Sequence, residues 1–220
     1  MSNESNISYK QEILRKAIHL ASLSIPISYI FLSNINMLII LVPITFIFIV
    51  FDVLSKKVDL FINLLMKYFG AMLRPHEKKG VGLFNGATWV LISATICVII
   101  FPKIIAITGF TILIISDLSA ALIGRKFGKH KFFDKSVEGT ASFIISAIVI
   151  VLIYYNIFNL PQSYLVAGII GAVIGGIIEA ISKVIRIDDN LSIPISVGTI
   201  MLLAELYFIS IGQSFLGFLN

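Results

Sequence analysis

Ser116-Asp117-Leu-Ser-Ala-Ala-Leu-Ile-Gly124-Arg125-Lys126-Phe-Gly128-Lys129-His130-Lys131, continued by Asp134-Lys135-Ser136-Val-Glu138-Gly139-Thr140, is a polar island in an apolar chain. An acid stands inside a hydrophobic segment. A glycine-spaced basic loop follows, and a second acid precedes the next hydrophobic run. Groups of this kind can hold a metal ion and polyphosphate against a membrane.

The surroundings of the island set the class. Of the 220 residues, 58% are hydrophobic and 13% charged, with a mean hydropathy of +1.00. Soluble domains carry about 25% charged residues. The expected fold is all-α, a polytopic membrane helix bundle forming a single integral membrane domain over residues 1–220, with no room for a separate soluble domain. The net charge of +5 is read as cytoplasmic loops facing anionic lipid, and no nucleic-acid partner is expected. The single cysteine, Cys97, rules out an internal disulfide, and the three histidines lack zinc-ligand spacing.

A bilayer core needs about 20 apolar residues per helix. Seven runs are predicted spans: Ala17–Leu32, Met37–Phe51, Leu83–Phe101, Ile104–Ile123, Thr140–Tyr155, Ser163–Ser182 and Ile193–Ile211. The first is read as a retained span, because no small-x-small cleavage site follows it. Lys56–Arg74 has apolar residues at helical spacing, and two readings stand for it: an amphipathic surface helix or an extension of the second span. With the N-terminus cytoplasmic, every Lys and Arg except Lys103 falls inside. The expected topology is therefore multi-pass, with the N-terminus and the chemically interesting loops in the cytoplasm and the C-terminus outside.

Ionisable groups within spans cost about 3 kcal/mol on insertion scales, so each needs a reason. Asp117 is placed about six residues from the cytoplasmic end of its span, roughly 9 Å deep. It is either a carboxylate at the floor of a cleft or a snorkelling acid in a helix seam lined by Ala121, Gly124 and Gly128. Glu179 follows Gly171 and Gly175 and precedes Lys183, and two readings stand for it: a helix-surface ion pair, or a functional acid beside a stripe of small residues. Glu205 lies deeper, facing the bundle interior, with no assigned role. Asp52 ends the second span as a simple cap.

Arg125, Lys126, Lys129, His130, Lys131 and Lys135 make the loop after Asp117 strongly basic, and Gly124 and Gly128 would let backbone approach a ligand. Gly124-x-x-x-Gly128-Lys129-His130 is not a Walker loop. It has one residue too few between glycines and lacks the hydroxyl after the lysine. Asp188-Asp189-Asn190 brings three oxygen-bearing side chains that suit a hard cation such as Mg²⁺, or form an ordinary turn into a helix started by Pro194. Two weaker groups share this face: Glu12, Arg15, Lys16 and His19, and Arg74-Pro-His76-Glu77.

In this order the motifs resemble the CTP-dependent lipid-alcohol kinases: dolichol kinase, phytol kinase and CTP-type diacylglycerol kinase. The matching features are Glu12-x-x-Arg15-Lys16-x-x-His19, Arg74-x-His76-Glu77, Asp117-x-x-x-Ala121-x-x-Gly124-x-x-x-Gly128-Lys129, Lys135-Ser136-x-Glu138-Gly139, and Glu179 followed by Asp188-Asp189-Asn190-x-x-Ile193-Pro194. Ser116 stands where that family usually has glycine. The resemblance implies transfer of the γ-phosphate of a nucleoside triphosphate, CTP, to a membrane lipid alcohol such as a diacylglycerol, polyprenol or phytol, with Mg²⁺ as cofactor. It implies a catalytic set of Asp117, Lys135 and Glu138. Phosphate contacts would come from Gly124, Arg125, Lys126, Gly128, Lys129 and Ser136. Asp117, Glu138 and Asp189 would bind the metal, and Arg15, His19, Arg74, Glu77, Glu179, Asp188 and Asn190 would support. Asp117 would bind Mg²⁺ or accept the hydroxyl proton. The rival readings are a phosphatidate cytidylyltransferase and a small transporter. A transporter would be expected to carry polar groups at the membrane midplane, whereas these charges crowd one face.

Overall fold

The computed structural model describes residues 16, 19–70 and 84–216. Arg15, Arg74, Glu77 and the rest of the two weaker groups, Lys16 and His19 excepted, lie outside the described residues, as does the side chain of Lys183. The described chain forms α1 (Ser24–Phe31), α2 (Asn34–Leu54), α3 (Asp59–Phe69), α4 (Gly86–Ile100), α5 (Lys103–Phe127), a ribbon of β1 (Lys131–Phe132) and β2 (Lys135–Ser136), α6 (Val137–Ile157), α7 (Gln162–Ile185) and α8 (Asp189–Ser210). Water is absent from a bilayer core, so the backbone must satisfy itself, and helices do this locally.

Five helices are long and apolar enough to cross a membrane: α2, α5, α6, α7 over Gln162–Ser182, and α8. Five of the seven expected spans are thus helices of spanning length. The other two expected spans are apolar helices, His19–Phe31 and Gly86–Ile100. At 1.5 Å per residue the described part of each reaches about 20 Å, against ~30 Å of hydrocarbon. Asn85 shortens the second of them, because its side chain caps the amide of Thr88 (3.0 Å) and starts the helix there. Phe31, Phe46, Ile145 and Leu206 stand exposed on the outside of the bundle, a surface suited to lipid.

The stretch after α2 is a separate helix and not an extension of the span. A turn over residues 55–57 divides α3 from α2, and Phe61 meets Phe51 edge-on at 5.6 Å.

The most apolar window of α5 is 78% buried, against 22–50% in the other four long helices. It is the axis of the bundle, packed on α6, α8, α1 and α4, while α7 closes against α6 and α8, and α2 covers α4. Close approach rests on small residues. A Cβ on Gly171 would touch Val197 and Met201 of α8, and one on Gly175 would press on Val197 and on Phe143 of α6. Two hydroxyl pairs, Thr108–Tyr164 and Thr111–Tyr154 (both 2.8 Å), tie α5 to α7 and α6.

The acid-rich turn before α8 also differs from its expected form. Asp188 is the N-cap, accepting the Asn190 amide (3.0 Å), and the helix begins at Asp189 with Pro194 inside it. Arg186, at φ 57°, turns the chain between α7 and α8.

Candidate active site

The C-terminal ends of α2, α5 and α7 and the N-terminal ends of α4, α6 and α8 lie on one face, tied together by side chains. Asp52 accepts from the backbone amide (2.7 Å) and side-chain amide (2.5 Å) of Asn85, joining α2 to α4. Asn190, buried at the start of α8, approaches Gly86 of α4. Asp52 is thus more than a local cap, and its pairing across 33 residues was not foreseen.

Asp117 lies on α5 ten residues before Phe127, about 15 Å from the end of the helix. The helix runs on past Ile123, so this is further in than the sequence boundary placed it. Lys16, itself buried, donates to Asp117 Oδ2 and stands 3.5 Å from its backbone carbonyl. His19 Nε2 is 3.9 Å from the same carboxylate oxygen. A buried carboxylate needs such a counter-charge. In the Glu12–His19 group the expected supporting residues are Arg15 and His19. The residue that reaches Asp117 is Lys16. Its spacing to His19, i and i+3 on one helix face, is the signal that could have found it.

Lys135 leaves the ribbon to donate to Glu179 Oε1 at 2.5 Å, across 44 residues. Burial pushes the Lys135 ammonium down, but the carboxylates of Glu179, Asp189 and Asp117 outweigh it and hold its pKa above the ordinary lysine value. It therefore stays charged throughout the neutral range. One cation thus sits in the field of three acids drawn from α5, α7 and α8. Glu179 is 2% exposed, and its Oε2 has no hydrogen-bond partner among the described residues. Ser119 and Ser142 meet at 2.5 Å, pinning α5 to α6 nearby.

Several predicted site residues have other tasks in the fold. Ser136 caps α6, its Oγ accepting from the Gly139 amide (3.1 Å). Gly124, Gly128 and Gly139 crowd around that hydroxyl, where any added Cβ would press on it. The glycines thus let the ribbon fold back on α5. Glu138 accepts from the His130 backbone (3.3 Å) and meets its ring Nδ1 at 2.8 Å, clasping the ribbon to α6. Arg125, Lys126 and Lys129 are exposed, with Lys126 over the Phe127 ring at 5.2 Å. Asp188 accepts the Asn190 side-chain amide as well as its backbone, leaving Asp189 as the acid of that turn in the field of Lys135.

Among the described residues no three His, Cys, Asp or Glu side chains converge to hold a metal by themselves. Mg²⁺ commonly takes one or two carboxylates together with substrate phosphates. Asp117 and Asp189, both within the electrostatic reach of Lys135, fit that smaller requirement.

No protein-family model matches the chain, and neither does any solved structure. Relatives are found among curated proteins. The uncharacterized protein RP860 of Rickettsia prowazekii is 32% identical over 182 residues, covering 83% of this chain and 89% of that one. CTP-dependent diacylglycerol kinase 1 of Saccharomyces cerevisiae is 26% identical over 209 residues, covering 84% of this chain and 71% of the yeast protein. The Schizosaccharomyces pombe protein of the same name is 28% identical over 156 residues, 66% of this chain and 70% of that one. The chain belongs to the family of the Rickettsia protein RP860, and CTP-dependent diacylglycerol kinases stand among its relatives.

Proposed function

We propose that the protein is a membrane lipid-alcohol kinase that transfers the γ-phosphate of CTP to the hydroxyl of a diacylglycerol-type lipid at the cytoplasmic face. One observation carries the reading. Lys135 lies among three acids from three different helices, Asp117, Glu179 and Asp189, where the buried end of the bundle meets a basic ribbon open to solvent. The relatedness to two yeast CTP-dependent diacylglycerol kinases supports it.

Phosphoryl transfer needs positioning and charge neutralisation more than covalent help. Lys135 and Lys129 are proposed to hold phosphate oxygens, with Arg125 and Lys126 drawing the nucleotide in. Lys16 fixes Asp117. Asp117 and Asp189 would hold Mg²⁺, which when bound neutralises phosphate charge. Glu138 would reach a cation only by releasing His130, so it is left with the ribbon. We further propose that His19–Phe31 and α4 complete seven crossings, with the N-terminus inside.

The test is incubation of the purified protein with Mg²⁺, a panel of lipid alcohols and CTP labelled in the γ-phosphate. Label is expected in a lipid product. A folded protein that labels none overturns the reading, and entry of α-label into lipid would make it a cytidylyltransferase. For topology, Lys57→Cys and Lys131→Cys, with α4 and α5 between them, are expected to react with an impermeant thiol reagent from the same side, against the silent background of buried Cys97. Labelling of the two from opposite sides means that α4 does not cross and removes the seven-crossing arrangement.

A further inference from the structure

The two acids buried at this end of the bundle are in different states. Asp117 is engaged by Lys16, with His19 beside it. Glu179 gives one oxygen to Lys135, and its other, Oε2, is buried with no hydrogen-bond partner among the described residues. The nearby Ser182 hydroxyl is spent on the Glu179 backbone carbonyl (3.0 Å) and not on the carboxylate. An ionised carboxylate only accepts, so the missing partner is a donor. A buried acceptor left open disfavours the folded state unless something completes it.

Position narrows the donor. Glu179 is six residues before the end of α7 at Ile185, about 9 Å along the axis. Lys135, on the ribbon, keeps about a quarter of its side chain exposed. The pair thus joins a partly exposed cation to a buried carboxylate with an open acceptor. A neutral lipid with one hydroxyl on an apolar body matches the acceptor. A phosphatidate headgroup would bring negative charge against Glu179 and Asp117, which disfavours the cytidylyltransferase alternative.

Resting on the lipid-kinase reading, we propose that Glu179 Oε2 receives the hydroxyl of the lipid acceptor and is the base to which its proton passes, in place of Asp117. The hydroxyl oxygen bonds to the γ-phosphorus. The bond from that phosphorus to the β,γ-bridging oxygen breaks, and its electron pair leaves on CDP. The hydroxyl proton moves to Glu179 Oε2 and is released to solvent before the next turnover. Lys135 remains on Oε1 throughout.

The test uses the full chain in phosphatidylcholine micelles containing dioleoylglycerol, with Mg²⁺ and γ-labelled CTP. Glu179→Gln keeps the shape and one carbonyl oxygen for Lys135, but replaces the open acceptor. Its kcat is expected to fall about 10²- to 10⁴-fold, with the KM for CTP unchanged. A kcat within about tenfold of wild type overturns the proposal. So does a loss explained by a raised KM for CTP, which would assign Glu179 to holding Lys135 alone. Glu179→Asp keeps the charge and withdraws it by one methylene. It decides the matter if the first variant fails to fold: lowered kcat at unchanged KM for CTP supports the base, and unchanged kcat overturns it. Wild-type protein that labels no lipid alcohol fails the kinase reading itself, before any variant is compared.

Discussion

Glu205 and Glu179 are both buried acids, on neighbouring helices, at opposite ends of the bundle. Glu205 is fully enclosed, and both of its oxygens are used: Ser214 Oγ donates to one and the Phe215 amide to the other (3.1 Å). Phe215 in turn meets Tyr164 edge-on at 5.7 Å. This acid clasps the C-terminal segment onto α8 and α7. Glu179 has the same burial but only one oxygen occupied. Burial alone therefore does not mark the site. The completeness of the hydrogen bonding separates a clasp from a place that awaits a ligand.

The largest expected effect lies on the site side of that comparison. Asp117→Asn removes the charge that Lys16 and Lys135 face, and kcat/KM for lipid phosphorylation is expected to fall about 10³-fold, or about 4 kcal/mol of barrier. Near-normal turnover would place Asp117 with Glu205 as a structural acid. At the other end, Glu205→Ala strands the Ser214 hydroxyl and the Phe215 amide. It should lower stability by about 2–3 kcal/mol, read by chemical or thermal unfolding in detergent, while the specific activity of the folded fraction stays within about twofold. Lost activity at unchanged stability would break the contrast between the two acids. Gly139→Ala sets a methyl 3.0 Å from the Ala120 carbonyl and 3.1 Å from Ser136 Oγ. About 1–2 kcal/mol of destabilisation is expected from this overpacking, and an unshifted thermal midpoint would show that α5 and α6 can separate there. The smallest effect belongs to the exposed cations. Lys126→Ala and Lys129→Ala should each raise the KM for CTP about threefold at low salt, fading near 0.5 M. An effect that persists in high salt would mean direct contacts in place of a diffuse field.

Much of the architecture was legible. The predicted spans each coincide with a helix, because apolar run length is a local property. Their lengths were less so: two of the seven runs form shorter helices among the described residues, one of them started at Gly86 because Asn85 caps it and is tied to Asp52. Asp117 and Glu179 stand out in sequence as charges within spans, and Lys135 and Asp189 as loop residues on the same face; the fold brings all four into one electrostatic field. Gly124, Gly128 and Ser136 were read for phosphate because glycine beside cations looks the same whether a ligand or another helix approaches. Lys16 and Asp52 went unselected because each partner is on another helix, 101 residues away for one and 33 for the other.

The sequence by itself determined the class, the helices and the segregation of charge to one face. The bilayer as solvent judges each segment separately, by its apolar length and its flanking charge. The tertiary structure decided which acids are complete. Lys16 reaches Asp117, Ser214 and Phe215 close off Glu205, and Glu179 keeps one open oxygen. Those outcomes depend on which helix faces meet, and that is a property of the packed bundle and not of any one segment.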